Sequence, residues 1–473
     1  MLAAFKHRHP AIGLALLLAS ATLSAAPKNG APPHTMDEAV EWLGGYLQVD
    51  TSNPPGNESL AASYLARILH QEGISTRLLV TPEGRVNLYA RLAAAEAREG
   101  ALVLLHHMDV VPAGDGWTRN PWAAEIDEGR MWGRGAIDSK SLGVSHLAAL
   151  IDLKRQQTTL KRDVIFLAVA DEETGGSRGT KWLLEEHADL FEGVTSVLNE
   201  GGSNRASGER LGWWGIEVAQ KRPLWLRVET RGRGGHGSTF NPMSAVHQLL
   251  AGLEKVLKEL PPPRVTVAAR DYFGALADFH GEAFREVFGG PDLSTVEREF
   301  QRMMREGRSG QVLLPGMIAF FQDTLQVTSI ETPTNTINVV PAAASALLDI
   351  RLLPDTPAEE MLAIIRKGLG RSPSIEVLLT SPVASPSPTD SATYRTLTEV
   401  LGVQAPLVPS FITGTTDSRY FRERGIPAYG FSPFVLNGNE VRGIHGADES
   451  IPVQKFRQGL ETMREVVQAC AAG

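Results

Sequence analysis

ALVLLHHMDVVP, residues 101–112, sets five apolar residues in a strand-length run and then turns at once to His107, Asp109 and a proline. A short apolar run that stops in polar side chains is the pattern of a strand buried on both faces. Two further runs share the form: 164–170, ending in Asp171-Glu172-Glu173, and 195–198, ending in Asn199-Glu200. Helix-like stretches alternate with these runs from about His34 to Glu217. That alternation predicts an α/β layer structure, a mostly parallel sheet flanked by helices. Ligands bind such sheets beyond the carboxyl ends of the strands, where His107, Glu172, Glu173 and Glu200 fall.

Outward from this core the pattern changes. After Pro223 a strand at 224–230, a helix at 242–260, strands near 325–332 and 344–352 and a helix at 357–369 predict an inserted α+β unit. The charged, helical stretch 270–310 reads as an elaboration of that unit. After Pro388 the apolar helical pattern returns, and 428–431 resembles another buried strand. The expected organisation is a first domain in two parts, 34–217 and 383–473, around an insertion at 218–382. A chain of 473 residues is long enough for two such cores.

The chain opens with Lys6-His7-Arg8-His9, an apolar run to about Leu23 and the small residues Ser24-Ala25-Ala26. Basic, apolar and small-residue regions in that order form a secretory signal, expected at 1–25 and cut after Ala25 or Ala26. The apolar run is shorter than the roughly 20 residues that span a bilayer. The expectation is an exported protein, periplasmic or secreted, with no stable membrane insertion after cleavage. A formal net charge of -8 argues against the broad positive field that nucleic acid requires. Cys470 is the single cysteine, so no internal disulfide forms, and any metal must be held by histidines and carboxylates.

Five short clusters carry the chemistry. In His107-Met108-Asp109 the outer residues share a face of an extended chain, so Asp109 is expected to accept the second ring N–H of His107. In Gly133-Arg134-Gly135-Ala136-Ile137-Asp138-Ser139-Lys140, Asp138 stands where a helix begins. A plain N-cap is one reading and a metal-bridging carboxylate is the other. Asp171-Glu172-Glu173 puts three like charges side by side, which a solvated loop tolerates and a buried site does not unless a cation compensates. Glu200-Gly201-Gly202 and His445-Gly446-Ala447-Asp448-Glu449 complete the set. None is specific alone.

In this order the five closely resemble the co-catalytic zinc metallopeptidases that include aminoacylase, glutamate carboxypeptidase and carnosine dipeptidase. The resemblance runs from about His34 to the C-terminus, and it is nearest to the carboxypeptidase S and Gly-Xaa carboxypeptidase branch. It implies a zinc-exopeptidase-like catalytic domain with an inserted lid or dimerisation domain. Asp138 would bridge two zinc ions, His107 and Glu200 would complete one site, and Glu173 and His445 the other. Mn2+ or Co2+ would suit the same donors. Glu172 would be the general base, Asp109 its catalytic companion behind His107, and the bond after Asp138 is cis in relatives.

The resemblance also assigns His236, in Arg231-Gly232-Arg233-Gly234-Gly235-His236, to oxyanion stabilisation, often from a neighbouring subunit. The Gly-x-Gly-x-x-Gly spacing beside it has poor βαβ context, so a dinucleotide site is rejected. Asn335 and Arg351 match substrate-contacting lid positions, Arg351 because a planar fork suits a carboxylate. Gly414 and Thr415 fall in the loop near the substrate carboxylate, with Thr415 in place of a second glycine. The implied activity is hydrolysis of an amide bond next to a free carboxylate, in a small peptide or, as the alternative, an N-acyl amino acid. A non-catalytic periplasmic binding protein is the rival from another class. A homodimer through the lid is implied, with a self-sufficient monomer as the alternative.

Overall fold

The computed structural model describes residues 32–472 apart from 203, 209, 240, 371 and 372, and the expected signal peptide at 1–25 lies outside the described residues. At the centre of the larger sheet, four strands run parallel in the order Asp163–Val169, Ala101–His107, Val194–Asn199 and Ala428–Gly430. Every residue of the first two is buried. Their apolar runs are near-continuous because both faces are covered. Thr76–Val80 and Val86–Leu92 extend one edge antiparallel, and Arg210–Gln220 with Leu407–Ile412 extends the other, giving a mixed sheet that is mostly parallel at its centre.

Helix Lys140–Arg155 packs on this sheet and is buried at every position but Lys154. It is covered in turn by Met36–Leu47 and Val453–Ala471. A methyl group at Gly143 would collide with the His106 ring, so glycine is what allows helix and strand this close. The helix start therefore lies beside the strand end that carries His107.

Arg222–Arg231 follows the large sheet's Arg210–Gln220 almost directly but pairs in a second, antiparallel sheet ordered Thr324–Glu331, Ala343–Leu352, Arg222–Arg231, Ser374–Thr380. Helices Ala245–Lys258 and Ala358–Leu369 share its core. Along Ala343–Leu352, Ala344, Ala346, Leu348, Ile350 and Leu352 are buried in that core. The period of two puts Asp349 and Arg351 on the opposite face.

The stretch 270–310 does not elaborate this second unit. Helices Val267–Leu276, Glu282–Phe288 and Leu293–Arg305 join the core of the large sheet. There Phe321 packs against Phe273 at 4.7 Å and Phe300 at 4.5 Å, and Phe320 meets Phe411 of strand Leu407–Ile412 at 5.6 Å between ring centres. The charges that suggested an elaboration of the inserted unit lie on the outer face. The phenylalanines of the inner face pack on one another and on Phe321, and Phe320, which meets Phe273 at 5.5 Å, carries the contact to the last strand of the large sheet.

Candidate metal centre and active site

Strand ends and loops bring five side chains together. His107 closes its strand, Glu173 lies in the one-turn helix Glu172–Thr174 beyond Asp163–Val169, and Glu200 follows Val194–Asn199. Asp138 precedes helix Lys140–Arg155, and His445 lies on the loop before Ser450–Pro452. His107 Nε2 is 2.9 Å from Asp138 Oδ1 and 3.5 Å from Glu200 Oε2. His445 Nε2 is 3.1 Å from Asp138 Oδ2 and 3.3 Å from Glu173 Oε2. Each oxygen of Asp138 thus faces one histidine, and two triads of donors share it.

These spacings fit metal ions. A tetrahedral ion with bonds of about 2.0–2.1 Å has donor-to-donor edges of roughly 3.3 Å. Glu173 Oε1 is also buried without a hydrogen-bond partner among the described residues, an unmet demand that an ion would satisfy. Asp138 is not a cap: the N-cap position is Ser139, and no side-chain cap bond forms there. The Asp138–Ser139 peptide is cis, as the resemblance implies.

Burial pushes the Glu200 carboxyl up to about 7, reinforced by the charges of Asp138 and Glu173 against the pull of His107. Glu172 is raised well above the ordinary carboxylate range, first by burial and then by Glu200. Burial also opposes ionisation of Asp138, but hydrogen bonds from both histidines outweigh it and hold that carboxyl far below its usual value. His445 is raised to about 10 by its bonds to Asp138 and Glu173. The carboxylates thus make a field that draws in positive charge, as protons on the histidines or as metal ions in their place.

Asp109 is placed otherwise than expected. His107 Nδ1 lies 2.7 Å from the backbone carbonyl of Asp109 and 3.8 Å from its carboxylate. The carbonyl, which can only accept, takes the ring N–H and leaves Nε2 facing the ligands. The carboxylate is occupied by three donors: Asn53 Nδ2 at 2.8 Å and the backbone N–H groups of Glu172 and Glu173, each at 3.1 Å. It holds the turn that carries the acidic pair. Asp171, at φ 71°, turns away to Arg85 Nη1 at 3.1 Å and Thr174 Oγ1 at 2.6 Å, which relieves the crowding of three adjacent charges.

Sequence reading missed Asn53, Arg85 and Glu449. Asn53 stands before Pro54-Pro55-Gly56, a rigid turn signal that marked a fixed position. Glu449 belongs to the fifth cluster, four residues after His445. Its buried carboxylate accepts Arg134 Nη1 at 2.7 Å and the backbone N–H groups of Gly135 at 2.9 Å, Ile137 at 2.7 Å and Asp138 at 3.1 Å. Arg134 in turn donates to the Gly446 carbonyl at 2.6 Å. The loop with Asp138 and the loop with His445 are therefore fastened to each other.

Arg351 donates Nε at 2.7 Å and Nη2 at 3.1 Å to Asp349, and Nη1 at 3.0 Å to Thr415 Oγ1. Three of its five N–H groups are used in this way and two remain for a ligand. Thr415 is not at positive φ, so its branched side chain fits the loop. Gly414 beside it is exposed. Asn335 is exposed on the segment between Thr324–Glu331 and Ala343–Leu352, and His236 is exposed and bonded to Ser238 Oγ of its own loop at 2.8 Å. Among the described residues no hydrogen bond joins either to the metal cluster.

A family model described as Peptidase family M20/M25/M40 matches residues 103–469. The chain is similar to aminoacylase-1B of Rattus norvegicus, 26% identical over 448 residues covering 93% of this chain and 97% of the relative. It is also similar to a protein described as probable carboxypeptidase S-like 2 of Dictyostelium discoideum, 23% identical over 383 residues covering 76% and 69%. Its fold is like that of an M20 family metallo-carboxypeptidase of Sulfolobus solfataricus, with a TM-score of 0.67, 20% sequence identity and coverage of 91% of this chain and 99% of that one.

Proposed function

The chain belongs to peptidase family M20/M25/M40 and is a metal-dependent hydrolase, and we propose that it cuts an amide bond adjacent to a free carboxylate, using two zinc ions held by His107, Asp138, Glu173, Glu200 and His445. The observation that carries this reading is Asp138 shared between His107 Nε2 at 2.9 Å and His445 Nε2 at 3.1 Å. Bound there, the ions would acidify a water and polarise the scissile carbonyl. Glu172 takes that water's proton and delivers it to the leaving amine nitrogen. Burial and the neighbouring Glu200 raise this carboxyl above the ordinary carboxylate range, which favours its acceptance of a proton. Arg351 receives the substrate's free carboxylate, its fork preset by Asp349 and Thr415.

His236 stabilises the oxyanion of the tetrahedral intermediate from a neighbouring copy. Its exposure, next to the exposed Ile337 and Val339, supports a homodimer through the four-stranded domain. Light scattering tests that state. Export, read from the first 25 residues, is part of the same proposal, and N-terminal sequencing of the purified protein tests it.

Two substrate classes present the required bond. Similarity to aminoacylase-1B over 97% of its length supports N-acyl amino acids, and similarity to the carboxypeptidase S-like protein supports blocked dipeptides. Metal content by mass spectrometry, with hydrolysis of both classes before and after chelation, tests the reading. Two metals per chain and chelator-sensitive cleavage are expected. Metal-free protein that stays inactive after zinc is restored would favour a binding protein instead.

A further inference from the structure

The segment 414–421 meets the turn that carries Glu172 through one buried cation. Arg419 is 3% exposed. Its Nη2 donates to the Gly175 carbonyl at 2.7 Å and to the Tyr420 hydroxyl at 3.0 Å, and its Nη1 donates to the Thr416 carbonyl at 3.0 Å. The Tyr420 hydroxyl also donates to the Gly175 carbonyl, at 2.5 Å. The Gly175 N–H in turn closes back on the Glu172 carbonyl at 2.9 Å. A side chain at Gly176 would collide with the Asp417 carboxylate, so turn and segment lie in direct contact. The turn is thus held in front by Asp109, which accepts the N–H groups of Glu172 and Glu173, and behind by Arg419.

The same segment sets the carboxylate anchor. Thr415 Oγ1 accepts Arg351 Nη1 at 3.0 Å. The next residue is gripped by Gln220: the Thr416 N–H and hydroxyl both donate to Gln220 Oε1 at 3.0 Å, and Gln220 Nε2 donates to the Thr416 carbonyl at 2.9 Å. Tyr420 alone would satisfy the Gly175 carbonyl. What the guanidinium adds is a rigid fork that spans two carbonyls, one on the base's turn and one beside the anchor. Burial opposes its charge, and Tyr420, Asp417 and Glu172 outweigh that burial. We propose that Arg419 is a positioning residue that couples carboxylate binding at Arg351 to the placement of Glu172, so that a bound carboxylate raises turnover as well as affinity; this rests on the function proposed above. A pull on Arg351 passes through Thr415 and the Thr416 carbonyl to Arg419 and the Gly175 carbonyl. A displacement of about 1 Å at a reacting group is worth on the order of a hundredfold in rate.

The test is a double-mutant cycle of Arg419→Lys with Arg351→Ala, read as kcat and KM per metal-loaded site on an N-acetyl amino acid and a blocked dipeptide, both with free carboxylates. Lysine keeps the charge but brings one nitrogen to two carbonyls. Arg419→Lys should lower kcat about ten- to a hundredfold with KM little changed. In the Arg351→Ala background the same change should cost at least about threefold less, because the link it cuts has already lost its other end. Tyr420→Phe removes one bond to Gly175 without touching the charge, and reads the same link if the lysine variant does not fold. It should lower kcat about two- to tenfold, again less in the Arg351→Ala background. Variants with a lower thermal midpoint but an unchanged kcat would make Arg419 purely structural, and equal losses in both backgrounds would also overturn the coupling. Either result leaves the hydrolase standing. Metal-loaded wild type that cleaves neither substrate overturns the function and the coupling together.

Discussion

The Asp109 carboxylate accepts the backbone N–H of Glu172 at 3.1 Å. Because the same residue's carbonyl fixes the His107 ring, one residue sets the distance between a proposed metal ligand and the proposed base. The burial that raises Glu172 also pushes Asp109 up to about 7, so the pair is costly to ionise. Protonation of Asp109 would cost an acceptor for the turn, and cations nearby would hold both carboxyls ionised.

In the proposed mechanism that arrangement separates proton transfer, at Glu172, from metal holding, at Asp138. Glu172→Ala should lower kcat by roughly 10²- to 10⁴-fold, the usual worth of a positioned general base, with metal content near that of the wild type. Asp138→Ala removes the donor common to both triads and should lose metal together with activity. Mass spectrometry of the two variants decides, and equal metal loss in both would contradict the roles.

Arg351→Ala should act on substrates that carry a free carboxylate. Losing a charge-assisted pair costs about 1.5–3 kcal/mol, or roughly ten- to a hundredfold in kcat/KM, while the matching amides should barely change. Thr415→Gly removes one of the three bonds that hold the guanidinium and should give a weaker effect of the same kind. Equal damage to acids and amides would remove Arg351 from the anchor role.

Glu449→Ala would leave the Arg134 guanidinium, 1% exposed, without its carboxylate and three N–H groups without their acceptor. Breaking a buried ion pair from one side costs about 3–5 kcal/mol, so a marked drop in thermal midpoint is expected. Glu449→Gln keeps the shape and should fold nearer to normal, yet bind metal less tightly because it slackens the loop that carries Asp138. Unfolding scans with and without added zinc measure both effects. A Gln variant with unchanged zinc affinity would limit Glu449 to a purely structural role.

What was legible in the sequence depended on how local the cause was. The buried strands at 101–107 and 163–169 announce themselves because parallel strands under helices must be apolar throughout. The meeting of His107, Asp138, Glu173, Glu200 and His445 was legible only through the order of five motifs, since residues 338 positions apart leave no periodic trace. The acceptor for His107 was misjudged because Asn53, 56 residues upstream, competes for the Asp109 carboxylate. The helices after Val267 were misassigned because charge on an outer face is visible in sequence, whereas the meeting of Phe320 with Phe411 is not.

His146, in the middle of the buried helix, supplies a pH dependence. Both of its ring nitrogens are buried without a hydrogen-bond partner among the described residues, and burial pushes its pKa down to about 3. The ring stays neutral in the folded protein, while in the unfolded chain it takes a proton near its ordinary value of about 6.5. Between those two values the unfolded state binds the extra proton, so this contribution is intact above about pH 6.5 and is lost progressively as the pH falls. The slope approaches about 1.4 kcal/mol per pH unit well inside the window. Urea unfolding at several pH values below 6 should therefore show His146→Leu losing less stability on acidification than the wild type. Parallel stability curves for the two proteins would mean that His146 is protonated, or reached by water, in the folded state.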